Sequence, residues 1–442
     1  MGCAVQKSKF IIYLSLEIPC GRFNIKALPL KPLFYAKRRM LNARIHGDKP
    51  VMDFSRTPYN YTQASLPLPL SPSFIAAFSA RLTGKDAARS ASPASLIPLY
   101  KDFFNKQYSK DLAENTLIPA LHKEELVAAL LGRTDWQLVW ISPVEDPELL
   151  KLSTVKDQLH FIHSKEENGW KLSPEQLDTW CKENSQFVSK SILYLPKPLA
   201  DNVWKAGEFK RLCEVAGKHG VYFLREEYVS TLADESLLHF YPERSFVFYN
   251  PFYGTNGAGW GLGCFILPQN GAWNTVWNQV THQDTKPMIS GLEISALKTF
   301  LDKYAEIESV HTNWEMVLGG LRREVYELMS TSKLKFKKSQ VGNSVFLNFD
   351  AYRSQFGRMG IYNSADLCKR VFQDSKVKLV PGSELGCPPG TFVAAMFLTN
   401  IEDLDWFPEA AGRRVETSFL YKQCWNCIDG AQKLTRYLNS LD

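Results

Sequence analysis

Short apolar segments alternate with amphipathic segments from residue 51 to the end of the chain. Runs such as Gln137 to Ile141 and Ser191 to Leu195 have the length and composition of buried strands. The segment from Glu208 to His219 has apolar residues at helical spacing, and Gly220 is expected to end this helix. Strands that alternate with helices in this way are typical of an α/β fold with a mainly parallel sheet.

The same pattern predicts further elements. We expect helices at Leu99 to Tyr108, Glu124 to Leu131, Ser290 to Ala305, Trp314 to Ser330 and Ala365 to Phe372. We expect strands at Thr116 to Ile118, Val221 to Leu224, Phe246 to Tyr249, Cys264 to Leu267, Ser344 to Phe349, Lys376 to Val380 and Thr391 to Leu398. Ser173 is expected to cap a helix whose first residue is Pro174. The elements after residue 339 predict a small α+β unit.

These patterns predict four segments along the chain. Residues 1–50 form an N-terminal extension, and residues 51–110 form the N-terminal segment of a small domain. Residues 111–310 form a large domain, and residues 311–442 form the C-terminal part of the small domain. A chain of 442 residues is long enough to bury the cores of both domains.

The extension differs from the rest of the chain in charge. Residues 1–50 contain ten Lys and Arg but only two acids, Glu17 and Asp48, whereas the other 392 residues contain 42 bases and 44 acids. The extension is therefore a targeting segment or a disordered arm, or else the folded part starts at Met40 or Met52. We expect a cytoplasmic protein, with organelle targeting by residues 1–50 as the alternative.

The composition also argues against several classes of protein. No apolar run reaches the ~20 residues that a membrane span requires. The nearly neutral body shows no basic region that would indicate nucleic-acid binding. Cys424 and Cys427 have the spacing of a metal-binding pair, but no second such pair lies nearby, so we expect packed thiols and no metal site.

Five segments occur in the order and spacing of a known family: Asn168 to Leu177, Leu195 to Pro198, Lys218 to Tyr228, Gly257 to Gly263, and Val380 to Leu404. Together they resemble the fold type I, class I/II aminotransferases, which depend on pyridoxal phosphate (PLP). The resemblance covers nearly the whole body. It implies a three-layer large domain around a mainly parallel sheet, with a small α+β C-terminal domain.

The resemblance also implies where the lysine that holds PLP covalently should lie. It falls six residues before Gly259, at position 253, where this sequence has Tyr253. A phenol cannot replace the amine in that bond. No lysine occurs between Lys218 and Lys286, so a shift of a few residues in the comparison does not supply one.

Other cofactor contacts of the family are missing as well. Gly261 stands where an arginine would pair with the PLP phosphate, and glycine has no side chain to do so. The phosphate loop reads Ala120 to Lys123 without the small residues of the family, and its His122 is a weak anion-binding candidate. Ala394 stands where an arginine would grip the substrate carboxylate, and residues 142–145 lack the aromatic that stacks on the cofactor ring.

Three residues remain as candidates for a pocket. Glu226 matches the aspartate that pairs with the pyridine nitrogen of PLP, and it keeps the carboxylate. Tyr228 is a weaker candidate for the lining. Lys197 matches an asparagine of the family, and its amine is either a nucleophile in the pocket or an ion-pair partner of Glu226 or Glu227.

Three functions follow from the resemblance. The first is an aminotransferase-like pseudoenzyme or a repurposed small-ligand pocket, with no cofactor expected. The second is a divergent PLP-dependent enzyme that uses Lys197. The third is a non-catalytic subunit that pairs with an active homologue. Because active sites of the family lie at a dimer interface, we expect a homodimer or a heterodimer with a related subunit.

Overall fold

The structure is a computed structural model. It describes residues 59–62, 68–83, 91–121, 135–143, 158–195, 204, 206–227, 236–252, 255, 262–274, 289–338, 342–401, 404, 406–407 and 415–441. These residues belong to one compact unit that extends from Arg56 to Asp442.

The described strands and helices are numbered separately in chain order. The strands are β1 (Tyr59–Asn60), β2 (Leu117–Leu121), β3 (Gln137–Ser142), β4 (Leu159–His163), β5 (Ser191–Leu195), β6 (Tyr222–Glu227), β7 (Ser245–Tyr249), β8 (Gly263–Ile266), β9 (Ser344–Asn348), β10 (Val377–Lys378), β11 (Val380–Pro381) and β12 (Val393–Phe397). The helices are α1 (Pro72–Leu82), α2 (Ile97–Tyr108), α3 (Pro174–Glu183), α4 (Ala206–His219), α5 (Leu237–Phe240), α6 (Gly291–Asp302), α7 (Tyr304–Met329), α8 (Arg353–Arg358), α9 (Ser364–Ser375), α10 (Thr417–Gln423) and α11 (Trp425–Asn439).

A seven-stranded sheet forms the centre of the molecule, in the order β2-β8-β7-β6-β5-β3-β4. Strands β3 to β7 are parallel to their neighbours in this group, and β8 is antiparallel to β7 and β2. The fold is therefore α/β with a mainly parallel central sheet, as predicted. Parallel strands bring their carboxyl ends to one edge, where ligands bind in folds of this kind.

The two faces of this sheet pack against different layers. Val139, Leu193 and Phe223 belong to the core on the first face, which contains residues of α1, α2, α3, α4 and α6. Side chains that alternate with these, such as Tyr194 and Leu224, belong to a second core on the opposite face. That second core also contains Phe346, Val393, Ala395 and Phe397 from β9 and β12.

A small antiparallel sheet, β11-β12-β9, covers that second face of the large sheet. Its other face packs against α7, α9 and α11 in a third core, which includes Leu321, Val371 and Leu434. Tyr59 and Tyr61 near the start of the described chain belong to the same core. The Tyr61 hydroxyl donates a hydrogen bond to the Cys427 carbonyl at 2.6 Å, which ties this segment to α11.

Helix α7 spans the first and third cores. Tyr304 and Ile307 in its first turns belong to the first core, whereas Trp314 and later residues belong to the third. Residues 59–108 are likewise divided, because Tyr61 packs in the third core and Phe74 packs in the first.

Several predicted elements are confirmed. Strand β5 has the predicted bounds, and Ser173 caps α3 through a hydrogen bond from the Gln176 N–H to its hydroxyl at 3.2 Å. The Gln176 side chain accepts a hydrogen bond from the Ser173 N–H, which completes a capping box. The predicted helix at Glu124 to Leu131 lies outside the described residues.

Other elements differ from the prediction. The helix predicted to begin at Trp314 begins ten residues earlier, at Tyr304. The preceding helix α6 ends at Asp302, so only Lys303 lies between the two helices. The strand predicted at Lys376 to Val380 is two short strands in different sheets, β10 with β1 and β11 with β12. Strand β4 was not predicted, since its sequence carries a histidine at two of five positions.

Candidate functional site

The carboxyl ends of β3, β5, β6 and β7 lie along one edge of the large sheet. Two adjacent glutamates, Glu226 and Glu227, end β6, and both are buried. Because side chains alternate along a strand, they face opposite layers. Glu226 lies on the same face of the strand as Tyr222 and Leu224, so it faces the side covered by the small sheet.

Glu226 is only 4% exposed, and Phe248 of β7 is its direct neighbour in the sheet. The same face carries two further aromatic side chains, Tyr194 and Trp140, whose rings lie 5.2 Å apart. The Trp140 indole nitrogen is buried and makes no hydrogen bond to any residue that the structure describes. This face therefore combines a buried carboxylate, aromatic rings and a buried N–H donor.

Glu227 lies on the first face and has a structural role. Its carboxylate accepts hydrogen bonds from the Ser236 hydroxyl at 2.7 Å and from the Leu237 N–H at 2.8 Å. Burial raises the pKa of the Glu227 carboxyl, although the nearby positive charge of Arg225 opposes that effect. The Arg225 guanidinium is itself buried and lies 5.6 Å from the centre of the Phe209 ring.

Arg225 was not among the residues predicted to belong to the site. Its position in a strand, two residues before Glu227, places both side chains on the same face. This alternation could have indicated a role for Arg225, because two charged residues on the buried face of one strand are expected to interact electrostatically.

The connection between β7 and β8 contains the position that the family resemblance assigns to the lysine. Tyr253 itself lies outside the described residues, but the residues around it do not. Phe252 is buried against the rings of Phe74 and Phe300, at 5.9 and 5.2 Å. The Thr255 hydroxyl donates a hydrogen bond to the Phe252 carbonyl at 2.8 Å. The connection is thus anchored at both sides of position 253.

Other predicted site residues fall outside the described chain. These are Lys197, Tyr228, His122 and Gly261. In the sequence, Lys197 comes two residues after the end of β5, and β5 is the neighbour of β6 in the sheet. The structure brings no other predicted site residue next to Glu226 among the residues that it describes.

Ala394, the residue at the position of the family's arginine, lies in the small sheet. This residue is fully buried in β12, between Pro381 and Leu347 of the neighbouring strands. Its side chain belongs to the third core, whereas Val393 and Ala395 belong to the core that faces the large sheet. The alternation of β12 thus turns the Ala394 side chain away from the core that faces the large sheet.

The end of β3 forms a polar contact with β4. The Ser142 hydroxyl and His163 Nδ1 lie 2.7 Å apart, and the peptide bond from Ser142 to Pro143 is cis. Partial burial lowers the pKa of His163, which favours the neutral imidazole. Since Ser142 is 1% exposed, this pair links the two strand ends and does not offer its hydroxyl to a substrate.

Cys424 and Cys427 are both fully buried, which confirms the prediction of packed thiols. Burial raises the pKa of Cys424 to about 12, and the Cys427 thiol donates a hydrogen bond to the Asn400 carbonyl at 3.5 Å. No group of three or more potential metal ligands occurs in the described part of the chain. Within that same part, no helix has the length and apolar character required to span a membrane.

The residues present fit PLP only in part. Glu226 offers a buried carboxylate at the sheet edge, as a ring nitrogen would require. The sequence from Asn250 to Leu262, which joins β7 to β8, contains no amine that could hold the cofactor covalently. The covalent mode of binding at this connection therefore does not fit this chain.

No protein-family model and no curated protein matches the sequence. Solved structures do match. The aspartate aminotransferase from Thermus thermophilus with maleate has a TM-score of 0.60 and 14% identity, over 91% of this chain and 95% of that chain. The aspartate aminotransferase from Thermotoga maritima has a TM-score of 0.60 and 16% identity, over 91% and 95%.

The PLP-bound C-S lyase from Staphylococcus hominis gives a TM-score of 0.63 at 13% identity, over 85% of this chain and 92% of that chain. Identities this low concern the fold alone. The chain thus has the fold of these aminotransferases, which confirms the fold that the five sequence segments predicted.

Proposed function

Since the chain has the aminotransferase fold, we propose that it is an aminotransferase-like protein that does not transaminate and that uses its pocket for non-covalent binding. One observation carries this proposal: the connection between β7 and β8, from Asn250 to Leu262, contains no lysine. Transamination requires an amine that first holds the cofactor and then moves a proton between carbon atoms. The phenol of Tyr253 does neither.

The residues around Glu226 are of the types that bind a small molecule. Glu226 is buried on the face that the small sheet covers, and Phe248 and Tyr194 lie on that same face. Aromatic walls with a few polar groups are typical of small-ligand sites. A carboxylate there favours a ligand that presents an N–H donor or a positive charge.

Two measurements test the proposal. The purified protein is incubated with PLP, passed through a desalting column, and its visible absorbance is compared with that of untreated protein. A second sample is reduced with borohydride and mapped by mass spectrometry. We expect no retained absorbance and no pyridoxyl adduct on a pocket lysine.

An alternative is a PLP-dependent enzyme in which Lys197 supplies the amine. The position of Lys197 after β5, next to the strand of Glu226, favours it over the other lysines. This alternative predicts an adduct on Lys197 that survives dialysis and disappears in Lys197→Ala. Lys210→Ala, a change at an exposed lysine of α4, is the matched control. An adduct that follows this pattern would refute the non-covalent proposal.

A further alternative is an inert subunit that pairs with an active relative. It rests on the family resemblance, in which the active site lies at a dimer interface. Co-purification with an active aminotransferase would support it. A homodimer that accounts for all of the purified protein in sedimentation would count against it.

A further inference from the structure

A cleft of about 530 Å³ is lined by residues that do not include Glu226 or its neighbours Phe248 and Tyr194. It opens between the segment that joins β4 to α3 and two segments of the small-sheet side, residues 348–353 and 389–393. We call it the charged cleft, and the side chains that matter most are Lys165, Glu166, Glu167, Trp170, Arg353 and Phe392. Its volume lies within the range of ligand-binding clefts.

Arg353 is held in place on one side of the charged cleft. Its guanidinium donates to the Asp350 carboxylate at 2.6 and 3.2 Å, and twice to the Gly390 carbonyl at 3.2 Å. It also lies over the Phe392 ring, 4.2 Å from its centre. These contacts use four of the five N–H donors of a guanidinium, so one donor remains for a ligand, while the Asp350 carboxylate balances the charge in an ion pair.

The opposite wall carries charges of both signs. Glu166 accepts a hydrogen bond from the Asn348 side chain at 2.6 Å, which joins the two walls and fixes this carboxylate. Lys165 and Glu167 are exposed at the rim and form no ion pair with another described residue. The cleft therefore presents two cations and three carboxylates, when Asp350 is included.

Trp170 forms the apolar part of the cleft. Its backbone is left-handed at φ 62°, directly after Gly169 at φ 65°, and its N–H bonds to the Lys165 carbonyl at 3.0 Å. A non-glycine residue in this conformation is uncommon and is found at functional sites. The indole ring packs on Phe346, and its buried Nε1 has no hydrogen-bond partner among the described residues.

We propose that the charged cleft binds a zwitterionic ligand of the amino-acid class, with its carboxylate at Lys165 and Arg353 and its ammonium group at Glu167. Arg353 and Asp350 balance each other in an ion pair, so the charges left for a ligand are those of Lys165 on the positive side and of Glu166 and Glu167 on the negative side. Only a molecule with both charges matches the walls, and Trp170 supplies contact for an apolar side chain. This site is separate from the pocket under "Proposed function" and does not depend on it.

Isothermal titration calorimetry of the full chain with L-phenylalanine tests the proposal. N-acetyl-L-phenylalanine lacks the ammonium group, and L-phenylalanine amide lacks the carboxylate. We expect L-phenylalanine to bind, and each analogue to bind about tenfold more weakly, because each loses one charge-assisted contact. Failure of L-phenylalanine to bind, or equal binding of all three compounds, would overturn the proposal.

Variants assign the binding to the cleft. Lys165→Gln and Glu167→Gln change exposed side chains, so both should fold and weaken L-phenylalanine binding about tenfold. Lys210→Gln and Glu183→Gln are matched controls at exposed positions away from the cleft, and their affinity should be unchanged. If Glu226→Gln abolishes binding while the cleft variants retain it, the ligand occupies the other pocket and the inference is wrong.

Discussion

Gly386 closely approaches the ring of Phe161 in β4, the edge strand of the large sheet. Gly386 follows β11 with φ 74°, and a Cβ added there would lie 2.9 Å from Phe161 Cδ1 and 3.1 Å from Cζ. Both distances are shorter than ordinary van der Waals contact. Gly386→Ala should therefore destabilise the protein in two ways, through its left-handed backbone and through the clash with the Phe161 ring.

Gly360 provides a matched control. Its φ is 76°, and no heavy atom lies within 4 Å of an added Cβ. Gly360→Ala should cost only the backbone term, about 1–2 kcal/mol. Gly386→Ala should add about 1–3 kcal/mol for overpacking, for a total of roughly 2–5 kcal/mol.

Chemical denaturation, monitored by circular dichroism, measures the free energy of unfolding of Gly386→Ala and of Gly360→Ala. A double variant, Gly386→Ala with Phe161→Ala, removes the ring that clashes, so its loss of stability should be smaller than the sum of the single losses. Equal losses in Gly386→Ala and Gly360→Ala would refute the packing of β4 against the small-sheet side. Strict additivity in the double variant would refute it as well.

Three further outcomes are expected. The pKa of Glu227 is higher in the folded chain than the ~4.3 of an unfolded glutamate. The free energy of unfolding should therefore fall as the pH rises from that value through the folded pKa. Denaturation curves of Glu227→Gln measured over the same pH range should not show this decline. Gly430→Ala would place a Cβ 2.9 Å from Tyr61 Cε2 and should lower the free energy of unfolding by about 1–3 kcal/mol, as urea denaturation would show. Cys424 and Cys427 should react with a thiol reagent only after unfolding, because burial raises both pKa values; rapid labelling of native protein by mass spectrometry would contradict this.

Elements with a continuous apolar pattern could be predicted closely from the sequence. Strand β5 has no charged residue, and its bounds were exact, while α4 began only two residues before the predicted start. Strand β4 was missed because His160 and His163 interrupt its pattern. The break at Lys303 was missed because neither glycine nor proline marks it, and tertiary packing sets the end of such a helix.

Residues of the candidate site could be predicted only where a sequence motif resembles that of the family. Glu226 was proposed as a site residue because it matches an aspartate of the family. The structure adds that Phe248 is its neighbour in the sheet. The side that Ala394 faces could not be predicted, since a short match within β12 does not reveal which face the small sheet presents to the large one. The charged cleft brings together residues about 180 positions apart, such as Glu166 and Asn348, so no local pattern could indicate it.

Strand β6 places its two adjacent glutamates on opposite faces of the large sheet. The Glu227 carboxylate is already used by the Ser236 and Leu237 donors, so its removal should affect stability first. Glu226 faces the other layer, so a ligand in that layer depends on Glu226 alone of the two. Position 253, where the family resemblance implies the lysine, belongs to the connection after β7, next to the buried Phe252. Under the proposed function, non-covalent binding would use Glu226 at the end of β6, whereas covalent capture would require an amine in that other connection. The two requirements fall on separate segments of the chain, so one can be met without the other.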